Sequence, residues 1–283
     1  MSQDVITSFG KGLDSYLTKE QIKEQAPLVF ADAPTNPDVS SKYLFINTET
    51  IIDDLAKLNW FPVTVAQRKQ RKEEGTIFSK HMVSFQNPEI KITSKDGDDA
   101  WPRIILTNSH DGMQAFKFSV GIFRLVCSNG LVVADEKFSD FKIKHKGYTF
   151  AELRNVVNQA VTDLPSRVEV LNSMRNKILT NDEKNKLALD SMLIRAGVQP
   201  GSAKAMDFKY DEETIEDILE PKRSADEGDD LWRVFNVIQE KITQGDFHAA
   251  LTGAKVRKVR KIKSFEKDMK VNKQLFKLAA ALV

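Results

Sequence analysis

Two dipeptides that favour tight turns, Asp111-Gly112 and Asn129-Gly130, stand at the two ends of a long β-prone run. Asp, Asn and Gly tolerate the positive φ angles of two-residue hairpin turns better than other residues do. Between the turns, aromatic and β-branched residues dominate the segment FKFSVGIFR at 116–124. We therefore expect three consecutive antiparallel strands, joined by these two turns.

The strand signal extends beyond this block, from residue 81 to residue 146. Short β-prone segments separated by turn residues fill the region: HMVSF, EIKIT, RIILTN, AFKFSVGIFRLVC, LVVAD and DFKIKH. Side chains alternate between the two faces of a strand, so the even-numbered residues from Phe116 to Ile122 form one apolar face. The pattern predicts a bent antiparallel sheet with one face buried.

Helix signals take over after the strands. Two capping boxes, TFAE from residue 149 and TNDE from residue 180, can each satisfy free backbone N–H groups at a helix start. Pro165 should split the first of these helices, and Gly197 and Gly245 are typical of helix ends. The order of signals predicts an α+β fold: a central bent antiparallel sheet followed by long helices and a helical C-terminal region.

Two further helices are expected outside this central series. Thr48 is predicted to cap a short helix with an apolar stripe from Ile51 to Leu58, and another helix is predicted from Asn272 to Val283.

Charge and composition suggest a division into four parts. Residues 1–45 lack sustained periodicity and are interpreted as an N-terminal arm, and residues 46–206 as the α+β core. Residues 207–230 contain 11 acidic and 3 basic residues and are interpreted as an acidic linker. Residues 231–283 form a helical basic segment, in which residues 255–277 contain 10 basic and 2 acidic residues.

Composition also limits the class of protein. A single cysteine excludes an internal disulfide, and no apolar run reaches the roughly 20 residues that a membrane helix needs. We expect no membrane association, and a location in the cytoplasm. Four histidines and one cysteine without paired spacing argue against a zinc site, and no glycine-rich phosphate loop is present. The sequence predicts neither a metal nor a cofactor.

One fragment resembles a catalytic motif. Glu89 and Lys91 stand two residues apart in a β-prone segment, as in the second half of a metal-dependent nuclease motif. The nearest upstream acids, Glu73 and Glu74, fall in a predicted loop rather than on a preceding strand. A nuclease is therefore an alternative hypothesis, and the chain is more readily interpreted as a protein that is not an enzyme.

Basic clusters point to nucleic acid as a partner. Lysine and arginine side chains that neutralise phosphates release counterions and bind DNA without reading its sequence. The candidate phosphate contacts are Arg68, Lys69, Arg71, Lys72, Lys117, Arg124, Lys142, Lys144, Lys146, Lys255, Arg257, Lys258 and Arg260. A competing interpretation is that the run 255–263 pairs with the acidic segment 207–230.

Polar residues gather at the two hairpin turns: Asn108, Ser109, His110, Asp111 and Asn129. Asp and Asn often shape turns through their own side chains, which would make the group structural. His110 and Arg124 would be costly on a buried face without partners, so they could instead mark a polar site. The sequence leaves both interpretations open.

Several motifs carry a family resemblance. They are APLVF at 26–30, NSHDG at 108–112, FRLVCSNG at 123–130, HKG at 145–147, and Asn236-x-x-Gln239 followed by Asn272-x-x-Leu275. With these motifs in this order, the chain resembles the family known as domain of unknown function 932, found largely on phages, prophages and conjugative plasmids. The resemblance implies a mobile-element setting, with roles in replication, recombination, DNA transfer or counter-defence, and implies no specific activity.

The resulting hypothesis is a phage- or mobile-element-encoded, non-catalytic DNA-binding protein. We expect it to bind single-stranded DNA in recombination or replication, and to form a homo-oligomer. The alternatives are a metal-dependent nuclease and a phage protein that binds and inhibits a host factor.

Overall fold

The computed structural model describes residues 5–7, 16–36, 38–39, 43–67, 80–93, 99–111, 116–124, 130–131, 141–143, 149–251 and 255–283. The chain divides into two compact units. The first unit comprises Met1–Leu125 with Ala134–Pro165, and the second comprises Val126–Val133 with Ser166–Val283. The four-part division suggested by charge and composition stays a prediction.

The strands come early in the chain. They are β1 (Val5–Thr7), β2 (Phe61–Gln67), β3 (Lys80–Gln86), β4 (Ile90–Ile92), β5 (Ala100–Ser109), β6 (Phe116–Arg124), β7 (Gly130–Leu131) and β8 (Phe141–Ile143). In the first unit β5 is central, because it pairs with β3, β4 and β6, and all these pairings are antiparallel. β2 lies beside β3, β1 beside β4, and β8 beside β6. The antiparallel sheet followed by helices confirms the predicted α+β fold.

One face of this sheet forms the core of the first unit. The apolar even-numbered residues from Phe116 to Ile122 are all buried, as their alternation predicts. Helices α2 (Thr48–Ala56) and α3 (Phe150–Thr162) contribute apolar residues such as Leu55 and Leu153 to one cluster with Phe116 and Phe118. Burying a side chain of this size stabilises a fold by about 1.5–3 kcal/mol, so the sheet and both helices depend on a shared core.

The N-terminal region contains a helix that the sequence interpretation missed. Helix α1 (Lys19–Gln25) begins with a capping box between Thr18 and Gln21, and a 3-10 turn follows at Pro27–Phe30. Ile22 is completely buried in the core cluster of the first unit. A helix this short shows no sustained periodicity, and the capping box was the one local signal that could have revealed it.

The start of α2 corrects another prediction. Asn47, not Thr48, is the capping residue, because its side chain accepts a hydrogen bond from the backbone N–H of Thr50. The side chain of Thr48 is instead buried and turned toward the sheet. The prediction that Thr48 caps this helix was therefore wrong.

The later helices follow the predicted order. They are α4 (Leu164–Asn176), α5 (Asn181–Ala196), α6 (Glu212–Leu219), α7 (Leu231–Gln244) and α8 (Phe265–Ala280). Pro165 lies in the first turn of α4 and separates it from α3, as expected. Thr149 and Thr180 both cap helices, which confirms these two start signals. Helix α8 begins at Phe265 rather than at the predicted Asn272.

The second unit is built from helices around aromatic side chains. α5 contacts α6, α7 and α8, and α7 contacts α6 and α8. Phe235 lies between two rings, 6.5 Å from the centroid of Trp232 and 6.2 Å from that of Phe276. Strands β9 (Phe247–Ala249) and β10 (Arg257–Val259) form a small antiparallel ribbon after α7. None of the helices in the described parts of the chain combines the length and apolar composition that a membrane span requires.

Gly245 connects the end of α7 to this ribbon through an unusual backbone conformation. Its φ is +72° and its ψ is −139°, a region that is accessible to glycine almost alone. A Cβ atom at this position would lie 2.6 Å from the backbone atoms Val259 O and Arg260 C. Two constraints therefore require glycine here: the backbone angles and the close approach of the second chain segment.

We expect Gly245→Ala to lower the free energy of unfolding by about 2–4 kcal/mol, because it adds both backbone strain and a clash. Gly197→Ala is the matched control, since Gly197 also ends a helix at positive φ but has no atom within 4 Å of the added Cβ. The control should lose only about 1–2 kcal/mol. Denaturant unfolding of both variants makes the comparison, and equal losses would contradict the close-approach argument.

Candidate functional site

Six polar residues form a buried cluster in the first unit: Thr48, His81, Asn108, Ser109, His110 and Asp111. None of the six is more than 5% exposed. They come from the start of α2, from β3, from the end of β5 and from the turn that follows β5. Because burying polar groups is costly unless they are hydrogen-bonded, the contacts among these residues decide what the cluster can do.

The hydroxyl oxygen of Thr48 is the centre of this cluster. It lies 2.9 Å from His81 Nε2, 3.0 Å from Asn108 Nδ2 and 3.4 Å from His110 Nε2. The side-chain oxygen of Asn108 accepts a hydrogen bond from the backbone N–H of Ser109 at 2.9 Å. This contact orients the Asn108 amide, so its nitrogen is the group that donates to Thr48.

The Thr48 hydroxyl determines that one histidine donates a hydrogen bond from Nε2 and the other accepts one at Nε2. A hydroxyl has one proton to donate and two lone pairs to accept with, and Asn108 occupies one lone pair. Thr48 can therefore donate to one histidine and accept from the other. The histidine that accepts the Thr48 proton is then neutral and carries its own proton on Nδ1, whereas the histidine that donates to Thr48 carries a proton on Nε2.

Burial keeps His81 uncharged. Removal from water, together with repulsion from a charged form of His110, lowers the pKa of His81 from 6.5 to about 3. The two rings are in contact, with centroids 4.8 Å apart. A general base works best with a pKa near the working pH, so His81 is poorly suited to that role. The sequence interpretation missed both His81 and Thr48, because only the chain fold brings them beside residues 108–111.

The turn after β5 also holds the segment that precedes α2. The backbone N–H of Thr35 donates to the carbonyl of His110 at 2.8 Å, and the Tyr43 hydroxyl donates to the carbonyl of Ser109 at 3.4 Å. The Ser109 hydroxyl donates to Asp111 at 2.6 Å rather than to a histidine. No serine–histidine nucleophile pair is formed among these residues. The geometry gives the cluster a structural role, and a functional role for His110 stays a hypothesis.

Glu89 and Lys91 are arranged differently from the nuclease motif. Glu89 is exposed in the turn before β4, not on the strand. Lys91 forms an ion pair with Asp99 at 2.5 Å and lies over the Trp101 ring at 5.4 Å from its centroid. In the described parts of the chain, no group of three or more His, Cys, Asp or Glu side chains could hold a metal ion.

The predicted phosphate contacts of the first unit are only partly described. Lys117 on β6 pairs in register with Lys142 on β8, and Arg124 ends β6 opposite Ala100. Seven predicted site residues lie outside the described residues: Arg68, Lys69, Arg71, Lys72, Asn129, Lys144 and Lys146.

The second unit presents an exposed basic run, defined here as residues 255–263. Its six charged side chains are all exposed: Lys255, Arg257, Lys258, Arg260, Lys261 and Lys263. Among the described residues the run makes one ion pair, from Lys258 to the exposed Asp246 at 2.8 Å. No ion pair joins the run to the acidic segment 207–230 within the described part of the chain. Asp217 of that segment pairs instead with the buried Lys241 at 2.8 Å.

The backbone of the basic run is fixed, while its charged side chains are exposed. The backbone N–H of Ile262 donates to the carbonyl of Thr243 at 2.9 Å. The guanidinium of Arg195, on α5, donates to the carbonyls of Ile242 and Arg260. Burial lowers the pKa of Arg195 from its usual value. Arg195 was not predicted from the sequence, since no local pattern distinguishes it from other helical arginines.

We expect Thr48→Val to destabilise the first unit by about 2–4 kcal/mol, because it leaves several buried polar groups without their partner. Thr48→Ser, which keeps the hydroxyl, should lose only about 1 kcal/mol. Thr50→Val on the same helix is the matched control, because Thr50 is exposed and its loss should be within about 0.5 kcal/mol. Denaturant unfolding measures all three; equal effects of the valine and serine substitutions at Thr48 would contradict the hydrogen-bonding argument.

His81 also predicts how stability depends on pH. Its pKa is about 3 in the folded protein against 6.5 for the ordinary group, so the unfolded chain binds more protons between these values. The contribution of His81 to the free energy of unfolding is fully present above pH 6.5 and is lost as the pH falls toward 3. Between these pH values the decrease in the free energy of unfolding approaches about 1.4 kcal/mol per pH unit. His81→Gln should be less stable at neutral pH yet show a flatter decline on acidification. A decline as steep as that of the original protein would rule out His81 as its source.

Comparison with known proteins gives a family without an assigned activity. The chain is 30% identical over 275 residues to the "UPF0380 protein YfjQ" of Escherichia coli (strain K12), covering 95% of this chain and 93% of the relative. The "UPF0380 protein YafZ" of the same organism matches with the same identity and coverage. No solved structure matches the chain. The model of the family described as "Domain of unknown function (DUF932)" matches residues 38–276, and the chain belongs to that family.

Proposed function

We propose that this protein is a non-catalytic DNA-binding protein that holds single-stranded DNA through the basic run 255–263. The proposal rests on one observation about this run. It presents six exposed cations on a fixed backbone, and it forms one ion pair among the described residues. Contacts with phosphates release condensed counterions, which is the main source of affinity for DNA that is bound without sequence readout.

The acidic segment 207–230 lies close to the run, but among the described residues it forms no ion pair with it. α6 contacts β9, and β9 pairs with β10, which carries Arg257 and Lys258. The two oppositely charged segments are therefore separated by a single strand. The acidic residues that form ion pairs use other partners, for example Asp229 with Lys184 at 2.8 Å. Apart from Lys258, which pairs with Asp246, the cations of the run consequently remain available to an external polyanion.

A fixed backbone makes such a run a better ligand for phosphates. Ordering a flexible segment on binding consumes part of the interaction energy, whereas a segment that is already ordered avoids this cost. The hydrogen bonds from Ile262 and Arg195 and the close packing on Gly245 hold the run before any ligand arrives.

Single-stranded DNA is the favoured form because the run also exposes an apolar side chain. Val256, between Lys255 and Arg257, is 61% exposed. Unstacked bases of a single strand can cover such a side chain, while the bases of a duplex are already stacked. The mobile-element setting implied by the family resemblance fits a role in recombination or replication, with the protein acting as a homo-oligomer.

We expect the variant Lys255→Ala/Arg257→Ala/Arg260→Ala to lose at least about tenfold in affinity for a single-stranded oligonucleotide at low salt. If about five cations of the original run contact phosphates, log affinity should fall with log salt at a slope of about −3.5. Removing three of them should reduce the slope to about −1.4. Fluorescence anisotropy with a labelled oligonucleotide, over a salt series with and without Mg²⁺, measures both quantities.

The matched control is Lys23→Ala/Lys204→Ala/Lys222→Ala, which removes the same charge from exposed positions outside the run. It should keep the affinity and the slope of the original protein. Absence of any DNA binding, or an equal loss in control and test variants, would contradict the proposal. DNA cleavage on addition of Mg²⁺ would instead favour the nuclease alternative and direct attention to Glu89.

A further inference from the structure

A groove of about 760 Å³ lies in the second unit between the C-terminal end of α5 and one side of α8. Its apolar lining includes Ile194, Val198, Val271 and Leu278, and its charged and polar lining includes Lys267, Lys270, Gln274 and Lys277. No acidic side chain lines the groove. The groove therefore combines apolar walls with a positively charged rim.

The rim lies along one side of α8. Positions 267, 270, 274 and 277 are separated by three or four residues, so they follow one face of the helix. A rise of 1.5 Å per residue gives the line a length of about 15 Å. Lys267 and Lys270 are exposed and make no ion pair with a described residue. Like the cations of the basic run, these two side chains are exposed and positively charged.

The groove is continuous with the basic run. The run ends at Lys263, and α8 starts after its cap at Ser264. Arg195 forms part of the groove wall and also donates to the carbonyl of Arg260 within the run. One ligand that follows the run can therefore reach the side of α8 that carries Lys267 and Lys270, past a first helical turn that also carries Glu266 and Asp268.

We propose that this groove receives unstacked bases of the same DNA strand, whose phosphates contact Lys267 and Lys270 on the rim. The inference rests on the proposed function and extends it, because it adds a base-binding surface to a phosphate-binding run. Only a strand with unpaired bases can place apolar base faces against the groove walls while its phosphates remain at the rim. The groove thus provides a physical reason for a preference for single-stranded over duplex DNA.

The first experiment compares Lys267→Ala/Lys270→Ala with the control Lys204→Ala/Lys222→Ala, which removes the same charge from exposed positions. The groove variant should bind a long single-stranded oligonucleotide about fivefold to tenfold more weakly, with the salt slope reduced by about 1.4. Gln274→Glu, which places a negative charge in the groove, should weaken single-strand binding more than duplex binding. The control pair should leave both affinities unchanged.

The second experiment locates the bases directly. An oligonucleotide containing 5-iododeoxyuridine is cross-linked to the original protein by light, and the modified peptides are identified by mass spectrometry. Adducts within 194–200 or 267–281 support base binding in the groove. Adducts elsewhere, or unchanged affinity of both groove variants, overturn the inference but leave the proposed function standing if the Lys255/Arg257/Arg260 variant still loses binding. Failure of the original protein to bind DNA overturns both.

Discussion

The hydroxyl of Thr48 is the interaction on which the first unit depends. It contacts polar side chains from β3, from β5 and from the turn after β5, and it lies at the start of the helix that covers the sheet. With one proton and two lone pairs it can satisfy three neighbours only if one of His81 and His110 donates from Nε2 and the other accepts at Nε2. The position of α2 on the sheet is therefore coupled to the hydrogen-bonding roles of two buried histidines.

The sequence predicted the elements of this fold better than their contacts. Strand alternation and the caps at Thr149 and Thr180 are local signals, and the elements they predicted are present. Gly112 and Asn129 of the two predicted turns lie outside the described residues. Asn47, immediately before Thr48, has the same capping chemistry. The choice between them depends on the buried partners of Thr48, which lie more than 30 residues away in the chain. No local pattern contains that information.

The contacts within the candidate sites were equally hard to predict from the sequence. The residues 108–111 were singled out because they are polar beside a turn, but their partners His81 and Thr48 could not be identified without the fold. The basic run was visible as a row of cations, yet its relation to the acidic segment could not be decided from charge counts. Arg195 and Gly245, which fix the backbone of the run, act through contacts with carbonyls and backbone atoms. Such contacts leave no recognisable pattern in a sequence.

The cations of the basic run repel one another, and this repulsion favours the binding of a polyanion. Exposed ion pairs contribute little to stability, about 0–1 kcal/mol each, so folding alone does not require the run to be either charged or neutralised. A row of six exposed cations on a fixed backbone nevertheless repels itself, and the acidic segment one strand away leaves that repulsion in place. A bound polyanion would remove the repulsion, while the exposed carboxylates of α6, such as Glu212 and Glu216, would repel it. The two charged segments together would therefore confine a nucleic acid strand to the basic run and the edge of α8.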